Sequence, residues 1–253
     1  SSKFLGYQGG NSNNHASIYG TEIVATGLKI RNNTFTDAGY SAIKLNASSS
    51  SSSTGLEITN NTITNTYSGI HLYYFDAVTI RGNTIKGSYM LDFGIYLIYC
   101  DGANVIKDNY IYAPDMNTGI HINYCVATSG NRATIVNNLI RVEDRGIQFH
   151  NSIYYQDVYY NTVKVRDEHA LYVGSYNQYI TLKNNIFSTE GASKQTMYFN
   201  SQVTGLVSDY NNIYSDYGYP VYYSGNKGIA NWETLGYDSN SVNMDPIFNT
   251  DST

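Results

Sequence analysis

Two tripeptides in the middle of the chain concentrate charge in the same order: Glu143-Asp144-Arg145 and, 24 residues on, Asp167-Glu168-His169. Carboxylates held close together raise one another's pKa or recruit a cation. Such a cluster supports an acid/base pair or a calcium site built of oxygen ligands. The bland alternative is a solvated turn in which Arg145 neutralises its neighbours. The histidines form a second candidate group. His71, His121 and His150 share one stretch of the pattern described below, and a neutral imidazole is a plausible general base. Tyr96 falls between His71 and His121. These two are two repeats apart, ~9.6 Å in a stacked structure, too far to share one zinc ion, so no metal ligand set is assigned.

The elements that must position these groups are repeats. A phrase built on an Asn pair or a near variant recurs as Ile58-Thr59-Asn60-Asn61-Thr62-Ile63, Ile80-Arg81-Gly82-Asn83-Thr84-Ile85, Ile135-Val136-Asn137-Asn138-Leu139-Ile140 and Leu182-Lys183-Asn184-Asn185-Ile186-Phe187, with further copies between and beyond. Successive copies lie 22 to 29 residues apart. A period of that size with strand-like flanks predicts a solenoid of stacked coils. Each coil carries a second phrase, as in Gly69-Ile70-His71-Leu72, Gly94-Ile95-Tyr96-Leu97, Gly119-Ile120-His121-Ile122 and Gly146-Ile147-Gln148-Phe149. Its period-two alternation predicts a strand with one buried face. Ile and Leu point inward; Lys44, His71, Tyr96, His121, Gln148, Tyr172 and Tyr198 point outward, with Tyr73, Asn123 and His150 two residues further on. Asn tolerates the left-handed backbone of a sharp bend, and stacked Asn side chains can satisfy backbone groups of adjacent coils. This gives three strands per coil and three parallel sheets. In that register Glu143 faces Asp167, Asp144 faces Glu168 and Arg145 faces His169.

Composition agrees: 27 Tyr, 3 Pro and only 14% charged residues among 253, a strand-and-turn vocabulary. The net charge of −5 excludes nucleic acid as a partner, and disfavours a very acidic polymer unless a few cations are focused in one groove. No apolar run reaches membrane-spanning length, so membrane insertion is not expected. Cys100 and Cys125 fall one coil apart. A disulfide is within reach, but side chains in parallel register seldom adopt its torsion, so buried free thiols are favoured. The serine run Ser48 to Ser53 and the stretch Val126 to Arg132 are expected to be flexible loops.

With these phrases the chain resembles the right-handed parallel β-helix proteins of the pectate lyase-like superfamily, from about Ile18 to Phe248. The resemblance implies an all-β, single-domain right-handed parallel β-helix of about eight to nine coils over residues 1–253. The closing stretch Trp232 to Phe248 resembles the terminal signature of such repeat proteins. It implies that the chain is a monomeric piece of a larger modular protein with flanking modules. The N-terminal capping helix common in that family is not evident, so some cap or neighbouring module is expected at the coil ends.

The resemblance further implies a secreted or cell-surface protein whose ligand is a polysaccharide, lying across the outer face of the Gly-Ile-x-Leu strand. Contacts would come from Lys44, His71, Tyr73, Asn123, Gln148, Tyr172, Tyr198, Glu168 and His169. For β-elimination, the leading expectation, Arg145 or a bound cation neutralises a uronate, His121 or His150 is the base, and Tyr96 or Tyr172 is the acid. For hydrolysis, Glu143 with Asp167 or Asp144 with Glu168 supplies the carboxylate pair; ~5 Å separation matches a retaining site and ~9.5 Å an inverting one. Calcium is the one cofactor the acidic cluster allows. Lyases of this fold often use a Lys or Arg base beside a calcium site, whereas here only Lys44 lies on the outward row, away from the acids. The alternative is a non-catalytic module that binds or adheres to polysaccharide.

Overall fold

The structure is a computed structural model and describes residues 15–48, 53–88, 90 and 92–246 together with the strand Lys3–Leu5. The chain winds into a right-handed parallel β-helix of about eight coils. Three sheets run its length. Sheet A has nine strands, from Lys3–Leu5 through Thr34–Thr36 to Asn212–Ser215. Sheet B has ten and carries the Gly-Ile-x-Leu phrases, among them Ser68–Tyr73, Phe93–Ile98, Thr118–Asn123 and Arg145–Phe149. Sheet C has eight, from Lys29–Arg31 to Val207–Asp209.

Register follows the repeat. Ile43, Ile70, Ile95, Ile120, Ile147, Leu171, Met197 and Val221 align in one row, and all are fully buried. Each such side chain stabilises the fold by about 1.5–3 kcal/mol relative to exposure. The glycines of the phrase permit the close stacking. A Cβ on Gly94 would lie 2.6 Å from the Gly119 carbonyl oxygen of the next coil.

The Asn pair divides its labour. Its first residue makes the bend in the left-handed region, at φ 54° for Asn60, 65° for Gly82, 56° for Asp108 and 54° for Asn137. Tyr160 and Tyr210 hold the same conformation without the small polar side chain that eases it, at about 1–2 kcal/mol each. The second residue points inward and forms a ladder. The Asn109 N–H donates to Asn138 Oδ1 at 3.0 Å, and the Asn138 N–H donates to Asn161 Oδ1 at 3.0 Å. Each amide nitrogen also donates backward, Asn138 Nδ2 to the Ile106 carbonyl at 3.0 Å and Asn161 Nδ2 to the Ile135 carbonyl at 2.8 Å. One side chain thus ties three coils, and the ladder runs from Asn33 to Asn211.

The end of the ladder is capped by the chain itself. Asp238 Oδ1 accepts from Asn211 Nδ2 at 2.8 Å, where a further Asn would stand, and Asp238 Oδ2 accepts from Trp232 Nε1 at 2.6 Å. Trp232, on the short helix Ile229–Glu233, is fully buried and packs on Phe199, Tyr223 and Tyr237. The cap expected at a coil end is here the Trp232–Met244 segment itself; Ile247 and Phe248 lie outside the described residues.

Two loop expectations change. Ser49 to Ser52 lie outside the described residues, but Ser53 is buried in a short parallel ladder, and its hydroxyl donates to the Ile23 carbonyl at 2.8 Å. In the stretch Val126–Arg132, Arg132 pairs with Asp157 at 2.7 Å and donates to the Tyr179 carbonyl at 2.8 Å, stapling three coils. Both cysteines are buried and unbridged.

Truncating one ladder residue tests this framework. In Asn138→Ala the Asn109 amide groups and the Ile106 carbonyl lose buried partners at about 1–3 kcal/mol each. Denaturant unfolding should show a loss of about 3 kcal/mol or more. A loss below about 0.5 kcal/mol, ordinary for a surface site, would remove the ladder from the account.

Candidate functional site

The outward row of sheet B is aligned as the spacing predicts: Lys44, His71, Tyr96, His121, Gln148, Tyr172, Tyr198 and Tyr222 are successive register partners. It is not, however, solvent-exposed along its length. His71 and His121 are only 2% and 7% exposed, and Gln148 2%. Rings from the bend before one sheet B strand and from the start of another cover them. Tyr40 lies 6.1 Å and Phe93 5.8 Å from the His71 ring, and Phe93 lies 5.0 Å from the His121 ring. Tyr96 fills the gap between the imidazoles, at 4.8 Å and 4.5 Å.

Burial decides the charge state of these imidazoles. Neither ring nitrogen of His71 or of His121 has a hydrogen-bond partner among the described residues. Desolvation, with Lys44 beside His71 and with His150 and Arg145 beside His121, brings both pKa values down to about 3. Both rings are therefore neutral in any physiological medium. The His150 pKa is also lowered, by burial and by Arg145. Gln148 Nε2 lies 3.0 Å from His150 Nδ1, which leaves Nε2 as the donor of that ring when the amide donates.

Beside this row a cavity of about 330 Å³ opens. His121, Gln148, His150, Arg145, Asp144 and Glu168 line it together with Phe93, Asn117 and Thr118. Arg145 Nε lies 2.9 Å from Glu168 Oε2, off the hydrogen-bonding direction, and the guanidinium sits 4.7 Å over the Tyr172 ring. The Asp144 carboxyl is raised by burial and then by Glu168 and Glu143.

Of the sequence candidates, His121, His150, Arg145, Asp144, Gln148 and Glu168 meet in this cavity. Tyr96 supports His121 from the adjacent coil, and Tyr172 supports Arg145. Glu143 belongs to a neighbouring carboxylate trio with Asp144 and Asp167, whose ligand oxygens lie within 4.8 Å of one another. Arg166 binds that trio through a salt bridge to Glu143 and a 3.4 Å contact to Asp167. Lys44, His71 and Tyr73 form a separate cluster further along the sheet, with the Lys44 ammonium 5.8 Å over the Tyr73 ring. Asn123 lies on the sheet outside the cavity. His169 Nδ1 contacts the Gln195 carbonyl at 2.6 Å, and its ring stacks on Tyr198 at 4.8 Å.

The tyrosines do not form an open platform. Tyr172 and Tyr198 stack at 5.6 Å with planes 1° apart, and Tyr198 and Tyr222 at 4.6 Å and 8°. Their faces cover one another, so phenol edges rather than π-faces line this part of the surface. Phe93, Thr118 and Arg166 were missed from sequence. Phe93, Thr118, Arg145 and His169 share one register row, three positions before the outward row, so the coil period that aligns Arg145 with His169 also reaches Phe93 and Thr118.

Residues 11–245 match the family described as periplasmic copper-binding protein (NosD). The chain belongs to the NosD family. This agrees with the parallel β-helix and with the expected location outside the cytoplasm. No curated protein matches the chain, and no solved structure does.

The imidazole charge states carry a pH consequence. Folded pKa values of about 3 lie below the ordinary 6.5, so the unfolded chain takes up protons first as pH falls. The stability tied to each ring is whole above pH 6.5 and declines toward pH 3 by about 1.4 kcal/mol per unit. Asp92, raised to about 6 by burial from 3.8, acts in the opposite sense between those values. NMR of labelled imidazoles should find His71 and His121 neutral at pH 5; titration of either near 6.5 would refute their desolvation.

Proposed function

We propose that this NosD-family protein recognises a neutral polysaccharide outside the cytoplasm, in the cavity lined by His121, Gln148 and His150. His121 carries the proposal: it is buried, it lines the cavity, and both of its ring nitrogens are unpartnered among the described residues. A neutral imidazole offers one donor and one acceptor, which matches a hydroxyl group. Leaving such a group unpaired costs about 1–3 kcal/mol, and a ligand hydroxyl would relieve that cost. Asn117, Thr118 and Gln148 add uncharged hydrogen-bonding groups to the same walls. Support also comes from the likeness to pectate lyase-like β-helices, whose ligands lie on the outer face of the corresponding strand.

Charge balance favours a neutral ligand over a uronate at this site. The Arg145 charge is offset by Glu168, and the histidines contribute none. β-Elimination, which needs the substrate carboxylate neutralised, therefore has the least support. Hydrolysis is the second reading, favoured by Asp144. Burial and its carboxylate neighbours favour its protonated form, as a general acid requires.

The family description names copper, which takes imidazole and thiolate donors. Among the described residues the one trio of His, Cys, Asp or Glu whose ligand atoms converge is Glu143, Asp144 and Asp167, hard oxygens suited to calcium rather than copper. Cys100 and Cys125 lie in the core, and burial, together with Cys100, drives the Cys125 thiol pKa up, away from the thiolate a metal needs. The Tyr96 ring separates His71 from His121. His121 and His150 are neighbours, with ring centroids 5.5 Å apart, but no third His, Cys, Asp or Glu ligand atom converges with theirs among the described residues. The described donors therefore do not fit a copper centre of three or more protein ligands.

Binding to immobilised neutral glycans before and after His121→Leu, which keeps volume and removes both nitrogens, tests the proposal. Affinity should fall roughly 10- to 100-fold, and unchanged affinity would overturn it. New reducing ends that disappear in Asp144→Asn would establish hydrolysis; unsaturated products absorbing in the near ultraviolet would establish elimination instead.

A further inference from the structure

A column of tyrosines runs along the edge where sheet B strands turn toward sheet C. Tyr74, Tyr99 and Tyr124 each follow a sheet B strand, and each holds a left-handed backbone, at φ 63°, 51° and 52°. Their rings stack: Tyr74 on Tyr99 at 5.1 Å with planes 4° apart, and Tyr99 on Tyr124 at 5.0 Å and 12°. That spacing is close to the rise of the coils, ~4.8 Å.

The column loses its ring at one coil. The Tyr74 N–H donates to the Ile98 carbonyl at 3.1 Å, that of Tyr99 to Asn123 at 3.1 Å, that of Tyr124 to Asn151 at 2.9 Å and that of Ser152 to Ser175 at 3.4 Å. Each acceptor immediately precedes the next member, so the column reads Tyr74, Tyr99, Tyr124, Ser152, Tyr176. Ser152 and Tyr176 keep the left-handed backbone, at φ 51° and 61°. Tyr124 and Tyr176 therefore stand two coils apart, ~9.6 Å between backbones, with Ser152 where a fourth stacked ring would be. Among the described residues Tyr124 stacks on Tyr99 alone and Tyr176 on no ring, and Tyr176 is 74% exposed.

Strain makes Tyr176 informative. A left-handed tyrosine is unfavourable because its Cβ crowds the following carbonyl. Stacking offsets this at Tyr74, Tyr99 and Tyr124. Neither stacking nor burial offsets it at Tyr176, and the Asn that suits such a bend, used at Asn60 and Asn137, is not there. Strain that the fold leaves uncompensated points to a role beyond folding.

We infer that the place above Ser152, between Tyr124 and Tyr176, is a binding slot for a neutral, planar aromatic ring of phenol size. A ring inserted midway lies ~4.8 Å from each tyrosine, within the range of offset stacking, and continues the ladder. The neighbours in sequence, Asn123, Asn151, Ser175 and Asn177, carry no charge, so nothing here recruits an ion. The inference does not depend on the polysaccharide reading, since Tyr124, Ser152 and Tyr176 are absent from the lining of the sheet B cavity.

Ligand-observed NMR of the whole chain with p-cresol tests this. Binding should be weak, roughly millimolar, and unchanged between low and high salt. Ser152→Tyr, which places a ring where Tyr124 shows one is tolerated, should abolish it. Tyr176→Asn should weaken it at least roughly threefold while melting no lower than the parent, because Asn suits the backbone better; a lower melting temperature would make the ring structural and overturn the inference. So would an absence of p-cresol binding, equal binding by Ser152→Tyr, or displacement of p-cresol by methyl glucoside. A concentration-dependent dimer in ultracentrifugation that Ser152→Tyr dissolves would make a tyrosine of a second copy the occupant, and would overturn it too.

Discussion

A buried primary amide tolerates no free donor or acceptor, and in this protein each ladder Asn is satisfied only when the next coil presents another at the same depth. That constraint organises the molecule. It demands a left-handed residue immediately before, which explains why Asn, Asp or Gly precedes six of the eight ladder residues. It locks the bend between sheets C and A, and with it the register of side chains about 25 residues apart in sequence. Where the repeats end, Asp238 supplies the missing acceptor and Ser241 Oγ accepts the last backbone N–H at 2.7 Å.

The same stacking shapes the outer face. Rings placed one above another satisfy their surfaces mutually, so the row that runs from His71 to Tyr222 is a packed second layer rather than a brush of free side chains. Its imidazoles lose water and are held neutral. Beside the cavity, charge sits at the bends that lead into sheet B, where Arg145 and Arg166 are matched by Glu168 and Glu143. The cavity on this face is consequently polar and nearly balanced in charge.

Much of this was legible in the sequence because a parallel solenoid converts sequence offset directly into lateral contact. The alignment of Arg145 with His169 and of Tyr96 with His121 followed from the period alone. Depth did not follow. His121 is covered because Phe93, at the start of the strand in the preceding coil, folds over it; the period gives the row of Phe93 but not the direction in which its ring falls. Arg166 was missed because its partners Glu143, Asp167 and Asp115 converge through turn geometry rather than strand register. Arg132 was read as part of a loose insertion, yet its five-donor fork reaches carbonyl and carboxylate groups on two further coils. Asp238 lies outside the repeat, so no period could mark it as the terminal member of the ladder.

Membership in the NosD family accounts for the architecture and the location, while ligand chemistry depends on side chains that the solenoid holds in rows. Those rows exist only if the ladder holds the coils in register. Native-state hydrogen exchange reports on this directly. The backbone amides of Asn61, Asn83, Asn109, Asn138, Asn161 and Asn185 should exchange only through global unfolding, with the same free energy as the amides of the buried Ile95 and Ile120. Exchange of the Asn amides by local opening at much lower free energy would contradict the claim that the ladder fixes the fold.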